Sequence, residues 1–192
     1  MKLLLHACCG PCLLEPYDAL VADGNEVRVA YANPNIHPRA EYERRRDTLL
    51  EYAGAQGIEV DELAYDTDAW DKAVGGLEND PARRCRACFR VRLGAAARHA
   101  AEIGCDAVAT TLTVSPYQDP EAIREAGEEV CAAAGVSFLV TDFRDRYPSA
   151  TRRSRDLGMY RQNYCGCRYS EAESAKARER RQAAKRSKGT EA

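Results

Sequence analysis

Short apolar blocks alternate with stretches of helical periodicity along most of this 192-residue chain. Lys2 to His6 is a leucine-rich run ending at the Gly10-Pro11 turn signal, and it reads as a buried first strand. Leu13 to Val21 carries apolar residues at helical spacing and stops at Gly24. Glu26 to Ala32 alternates as a second strand, and Asn33-Pro34-Asn35 supplies turn chemistry after it. A charged helix follows over Arg39 to Gln56, closed near Gly57, then a third strand over Ile58 to Leu63 and a short helix over Thr67 to Val74. Pro81 opens a helical stretch covering about Cys85 to Ile103. Ala107 to Leu112 reads as a strand, Pro120 to Ala134 as a helix, Val136 to Val140 as a strand and Thr151 to Met159 as a helix. Glu171 to Lys188 is a polar helix or tail with mostly alanine to bury, so its end is expected to be loose.

Strands separated by helices imply βαβ units. The fold class expected is α/β, a three-layer, mostly parallel, Rossmann-like sheet with helices on both faces and a helical C-terminal extension. Residues 1–170 form the expected catalytic domain and 171–192 a basic helix or tail. Ligands of such sheets sit beyond the carboxyl ends of the strands. No run approaches the roughly 18 apolar residues of a membrane span, and Leu3 to Leu5 is too short for the core of a secretory signal.

Charge adds an asymmetry. Residues 1–142 carry 14 Lys and Arg against 24 Asp and Glu, whereas residues 143–192 carry 14 against 6. A basic quarter on an acidic body points to an anionic partner such as nucleic acid, or to a solvated basic helix.

Cysteine changes the picture most. Nine are present, an odd number without a secretory signal, which favours metal or redox chemistry in a reducing, cytoplasmic compartment over a disulfide scaffold. Seven fall in three tight groups: Cys8, Cys9 and Cys12 in His-Ala-Cys-Cys-Gly-Pro-Cys, Cys85 and Cys88 in C-x-x-C, and Cys165 and Cys167 in Tyr-Cys-Gly-Cys. Structural zinc takes four ligands, and seven thiols exceed that. They suit a [4Fe–4S] cluster, usually held by four cysteines, with ligands left for a second metal, or a cluster with three cysteines and one open iron. Neighbouring side chains diverge, so Cys8 and Cys9 are expected to face different metals, or one to bind while the other supports it. Cys105 and Cys131 stand alone and read as small core residues.

Other polar groups gather at the same expected rim. Tyr31, Asn33 and Asn35 follow the second strand, and His37 is expected to stabilise that loop. Tyr117 is a candidate proton donor and Gln118 a candidate reader of a base edge. Asp119 is a candidate acid or the N-cap of the Pro120 helix, the second being preferred. Arg83, Arg84, Arg86, Arg90, Arg92 and Arg98 flank the C-x-x-C with no acid between Pro81 and Ala101. An unpaired arginine cluster there favours a phosphate-bearing substrate; a solvated face fits Arg92 and Arg98 better than Arg84 or Arg90. No G-x-G-x-x-G, G-x-x-x-x-G-K-[ST] or Ser-Gly-Gly-x-Asp-Ser loop is present, which disfavours ATP use.

Taken together, the Cys-Cys-Gly-Pro-Cys opening, the Asn-Pro-Asn-Ile-His-Pro loop and Arg84-Cys85-Arg86-Ala87-Cys88-Phe89-Arg90 resemble the cobalamin-independent epoxyqueuosine reductases, the QueH family. So do Ser115-Pro116-Tyr117-Gln118, Asp142-Phe143-Arg144 and Tyr160-Arg161-Gln162-Asn163-Tyr164-Cys165-Gly166-Cys167, in family order up to about residue 175. The resemblance implies a fold related to the adenine nucleotide α-hydrolase-like (HUP) proteins. It implies reduction of epoxyqueuosine to queuosine at the wobble position of tRNA, with a [4Fe–4S] cluster near a mononuclear iron held by these cysteines. Some members carry Asp where this chain has Cys12, which marks Cys12 as a ligand of the single iron. Asp119-Pro120 departs from the basic residue or histidine of many members. Arg84, Arg90, Arg161 and Gln162, with Tyr31, Asn33, Asn35 and Gln118, are the expected substrate contacts. The anticodon stem-loop would be the partner, and a ferredoxin- or flavodoxin-type protein the electron donor, since no flavin or NAD fingerprint is present. Two other readings stay open: a metal-dependent tRNA sulfur transferase, which the missing phosphate loop argues against, and a zinc-stabilised RNA-binding module without catalysis.

Overall fold

A computed structural model of the chain describes the backbone of residues 1–189 and the side chains of residues 1–180 and 182. Five strands form one all-parallel sheet: β1 (Lys2–Ala7), β2 (Glu26–Tyr31), β3 (Val60–Glu62), β4 (Ala107–Thr110) and β5 (Ser137–Phe138), in the order β3-β2-β1-β4-β5. Among the described residues seven α-helices flank it: α1 (Gly10–Ala22), α2 (Arg39–Gln56), α3 (Thr67–Val74), α4 (Pro81–Glu102), α5 (Pro120–Ala134), α6 (Tyr147–Asp156) and α7 (Arg168–Gly189). Among the described residues no helix is long and apolar enough to cross a membrane.

The two-residue period of the strands builds the layers. Leu3, Leu5 and Ala7 of β1, with Val29 and Tyr31 of β2 and Ala107 and Ala109 of β4, face one side. There they pack on Leu13 and Leu20 of α1, Leu49 and Ala53 of α2 and Ala150 of α6. Leu4, Ala30 and Val108 face the other side, against Ala96, Ala97 and Ala100 of α4 and Cys131 of α5. Burial on both faces explains why β1 reads as a continuous apolar run. Cys131 is buried in this core and Cys105 packs against it, as small apolar residues would.

Where the elements depart from the sequence pattern, local chemistry accounts for it. Asp80 accepts a hydrogen bond from the Arg83 amide at 3.1 Å and starts α4 at Pro81. β4 ends early because the Thr110 side chain accepts from the Leu112 amide at 3.2 Å, turning Thr111–Val114 into a 3₁₀ segment. Pro148 sits in the first turn of α6 and moves its start back to Tyr147. β5 shrinks to an edge pair, Ala107 opposite Ser137 and Val108 opposite Phe138. α7 begins at Arg168, directly after Cys167. The backbone of the tail, whose end was expected to be loose near Lys188, is helical to Gly189, and residues 190–192 lie outside the described residues.

The order of strands reverses at β1 and β4, so their carboxyl ends flank a crevice. Cys8 leaves β1 into that crevice. Its amide donates to Thr111 Oγ1 at 3.1 Å, tying the first thiol to the turn after β4.

Candidate metal centre

The chain enters α1 through Cys9, which is fully extended at φ −174° and ψ 168°. One extended residue followed by the first helical turn brings back the thiols of Cys8, Cys9 and Cys12, all three within 4.8 Å of one another. Cys9 and Cys12 sulfurs are 2.9 Å apart, Cys8 and Cys9 3.8 Å. The divergence expected of Cys8 and Cys9 is therefore overcome by the turn, and both face one point. Gln162 donates its amide to Cys9 Sγ at 2.8 Å, and Thr111 donates its hydroxyl to Cys8 Sγ at 3.4 Å. Hydrogen bonds from Cys12 and Cys9 hold the Cys8 thiol well below its usual range, while burial pushes Cys9 up to about 12. The thiols of Cys8 and Cys9 act on Cys12 to raise it as well. The three thiols are thus tied together by hydrogen bonds among their sulfurs.

Three of the other four meet separately, while Cys85 packs, as Cys8 does, against the buried Phe89, Leu93 and Leu112 cluster. Cys88 and Cys167 are buried together beside Trp70 and Val74, with Cys165 and Tyr169 packed against them. Cys165 and Cys167 sulfurs lie 3.8 Å apart, and Ser170 sits 3.0 Å from Cys165 Sγ. The hydrogen bond from Cys167 lowers the Cys165 thiol to about 7 and leaves Cys167 raised. Burial raises Cys85 to about 11 and lifts Cys88 as well.

Gly166 makes this geometry possible. Its φ of 116° belongs to glycine, and a Cβ there would lie 2.8 Å from Ile36 Cγ1 and 3.0 Å from Arg45 Nη1. Arg45 itself donates to the carbonyl of Cys165 at 3.0 Å, and the Gly166 carbonyl accepts from the His37 amide at 2.9 Å. Gly166→Ala is expected to cost about 1–3 kcal/mol through strain and overpacking. Urea denaturation would read that cost.

Both groups border one cavity of about 590 Å³, lined among others by Cys8, Cys12, Cys85 and Cys165. Tyr117, Gln118, Arg161 and Gln162 line it too. Tyr117 stands at its mouth, 71% exposed, with its ring edge-on to Tyr147 at 6.2 Å.

The remaining expected contacts do not line the cavity. Tyr31 is buried, its hydroxyl donating to Tyr42 O at 3.1 Å. Asn33 donates to Ala7 O at 2.9 Å, and Asn35 is buried without a side-chain partner. His37 bonds Asn35 O at 2.9 Å and serves the loop. Asp119 caps α5, its carboxylate accepting from the amides of Glu121 and Ala122 at 3.1 and 3.2 Å.

The arginine cluster is corrected in two respects. Its acids come from neighbouring helices: Arg86 pairs with Glu125 at 2.5 Å, Arg90 with Glu129 at 2.7 Å and Arg84 with Glu173 at 2.5 Å. A search for acids within the helix misses all three. And Arg92, expected on a solvated face, is buried and donates to Asn33 Oδ1 at 2.6 Å, whereas Arg90 is exposed. The spacing carries that signal, since Cys85, Cys88 and Arg92 fall at i, i+3 and i+7 on one helical face. Arg45 and Ser170, which hold the Cys165 segment, had no comparable mark in the sequence.

The comparisons with known proteins agree with this geometry. A family model described as epoxyqueuosine reductase QueH matches residues 3–173. The chain is 35% identical to the epoxyqueuosine reductase QueH of Dehalococcoides mccartyi, over 90% of this chain and 93% of that one. It is 34% identical to that of Acinetobacter baylyi, covering 88% and 80%. For Thermotoga maritima the figures are 33%, 87% and 88%. With Cys8, Cys12, Cys85 and Cys165 lining one cavity and a family match that spans all of them, the chain belongs to the epoxyqueuosine reductase QueH family.

Proposed function

We propose that this protein reduces epoxyqueuosine to queuosine at the wobble position of tRNA. In this reading Cys85, Cys88, Cys165 and Cys167 hold a [4Fe–4S] cluster, and Cys8, Cys9 and Cys12 hold a single iron. The observation that carries it is the gathering of Cys8, Cys9 and Cys12 in one group and of Cys88, Cys165 and Cys167 in another, with Cys8, Cys12, Cys85 and Cys165 lining one cavity.

The residues around the thiols fit such groups. Buried donor nitrogens of Trp70, Arg84 and Arg92 lack partners. Trp70 packs on Cys88 and Cys167, Arg84 precedes Cys85, Arg92 follows Cys88 by one turn, and Gln162 touches Cys9. Orphaned donors are costly in a core unless an acceptor arrives, and anionic metal–thiolate groups are such acceptors. When bound, the cluster would pass electrons singly and the iron would act as a Lewis acid toward the epoxide oxygen.

Turning the epoxide into an alkene takes two electrons and two protons and releases water, so the protein must position a proton as well as electrons. Of the two acid candidates, Tyr117 lines the cavity and Asp119 spends its carboxylate on a helix cap. Tyr117 therefore donates to the leaving oxygen, and its exposed ring stacks on the substrate base. Tyr117→Phe is expected to lower kcat about 10²-fold with KM nearly unchanged. Tyr117→Ala should also raise KM, by the roughly 1–3 kcal/mol of a lost base–aromatic stack. Steady-state kinetics on modified tRNA separate the two. Gln118 and Gln162 are placed to read the extruded base, which must leave the anticodon stack to enter.

Phosphate contacts are assigned to Arg146, Arg152, Arg155 and Arg161, which are exposed around α6 and the loop after it. A ferredoxin- or flavodoxin-type protein would supply the electrons, and a tRNA substrate places the enzyme in the cytoplasm. The test is incubation of the iron-loaded protein with epoxyqueuosine-containing tRNA and a low-potential reductant, followed by nucleoside analysis. Queuosine should replace epoxyqueuosine; unchanged epoxyqueuosine with fully loaded protein would overturn the reading.

A further inference from the structure

Three guanidiniums are buried among the described residues: those of Arg45, Arg84 and Arg92. A guanidinium stays charged, so burial calls for an anion close by. Arg45 has Glu41 at 2.7 Å and Arg84 has Glu173 at 2.5 Å. Arg92, 3% exposed, has no such pair among the described residues. Its bond to Asn33 Oδ1 is to a neutral acceptor, itself held in place by the Ala7 carbonyl, and its Nε has no partner. The nearby His6 offers no anion either. It is fully buried, with its ring nitrogens bonded to Thr110 Oγ1 at 2.9 Å and Ala32 O at 3.2 Å.

Thiols border the same cavity as Arg92. Cys88 lies one turn before it on α4, and Arg92 lines the cavity that Cys8, Cys12, Cys85 and Cys165 also line. Its charge acts on both Cys8 and Cys88, one thiol from each group. A cation placed for two thiol groups, and denied any carboxylate, is arranged for charge that arrives with metal.

We propose that Arg92, oriented by Asn33, is the shared counter-ion of the two metal–thiolate centres, a positioning residue that favours their reduced forms. This rests on the reading that the cysteines hold iron. Each electron added to a cluster adds negative charge to a dry site, and a fixed guanidinium offsets it without reorganisation. Arginine suits the place because it cannot shed its proton there.

The test uses anaerobically reconstituted protein in wild-type, Arg92→Met and Arg92→Lys forms. Iron content, reduction midpoint from a mediated titration followed by visible and EPR spectra, and the melting temperature of the metal-free chain are measured. Arg92→Met is expected to shift the reduction equilibrium at least tenfold toward the oxidised form, 59 mV for one electron, with Arg92→Lys closer to wild type. The metal-free Arg92→Met chain should melt no lower than wild type, because an uncompensated buried charge has been replaced by an apolar chain of similar length. Iron loss in Arg92→Met that Arg92→Lys restores supports the same role. An unchanged midpoint with full iron, a melting loss with an unchanged midpoint, or iron loss in both variants overturns it and leaves Arg92 a scaffold residue. A wild-type chain that takes up no iron overturns the underlying reading and this inference with it.

Discussion

Cys165→Ala is expected to leave a folded protein without its brown chromophore, and with tRNA reduction at background. Cys165 borders the cavity, its thiol is held low at about 7 by the hydrogen bond from Cys167, and it sits 3.0 Å from Ser170. A thiol already lowered is the readiest metal ligand of its group, because the thiolate is the binding form. Losses of outer-shell partners cost about 10–100-fold in metal affinity or activity, so loss of a ligand itself should exceed about 100-fold. The fold survives because Cys165 is packed against the edge of its cluster and not within the β-sheet core. Anaerobic iron and sulfide analysis beside a circular dichroism spectrum checks both halves. Wild-type iron and sulfide in this variant would remove Cys165 from the ligand set.

Cys8→Ala should act differently. It belongs to the three-thiol group, and its thiol is the one that hydrogen bonds from Cys12 and Cys9 hold below the usual range. Without it Cys9 and Cys12 remain, both raised, and the site lacks its readiest thiolate. The expected protein stays brown, keeps about four irons and four sulfides per chain, loses about one iron, and reduces no epoxyqueuosine. The iron count, taken with the activity, separates this outcome from that of Cys165→Ala. Loss of all iron and sulfide in Cys8→Ala would mean that the two groups serve one centre, contrary to the four-and-three partition.

These two variants also mark how far the sequence could be read. The leucine run of β1 disclosed a strand buried on both faces, which leaves few polar positions, and alternation in Glu26 to Tyr31 disclosed a second strand beside it. Three cysteine groups were visible because ligands on one turn are close in sequence. Their partition was not, since it depends on where α4 and the segment before α7 meet, a contact 77 residues apart at Cys88 and Cys165. The convergence of Cys8, Cys9 and Cys12 required one extended residue at Cys9, which no residue type demands. The arginines of α4 were misread for the same reason. Glu125 and Glu129 come from α5, and the burial of Arg92 follows from its register with Cys85 and Cys88. Asp119 was legible as a cap because Asp-Pro before a helix carries its own local chemistry.

The most direct test of the two-centre account is metal analysis of protein purified without oxygen, with a visible spectrum recorded on the same sample. The account predicts about five irons and four sulfides per chain, and a brown absorbance that bleaches with dithionite. A colourless protein carrying one zinc and no sulfide would contradict it.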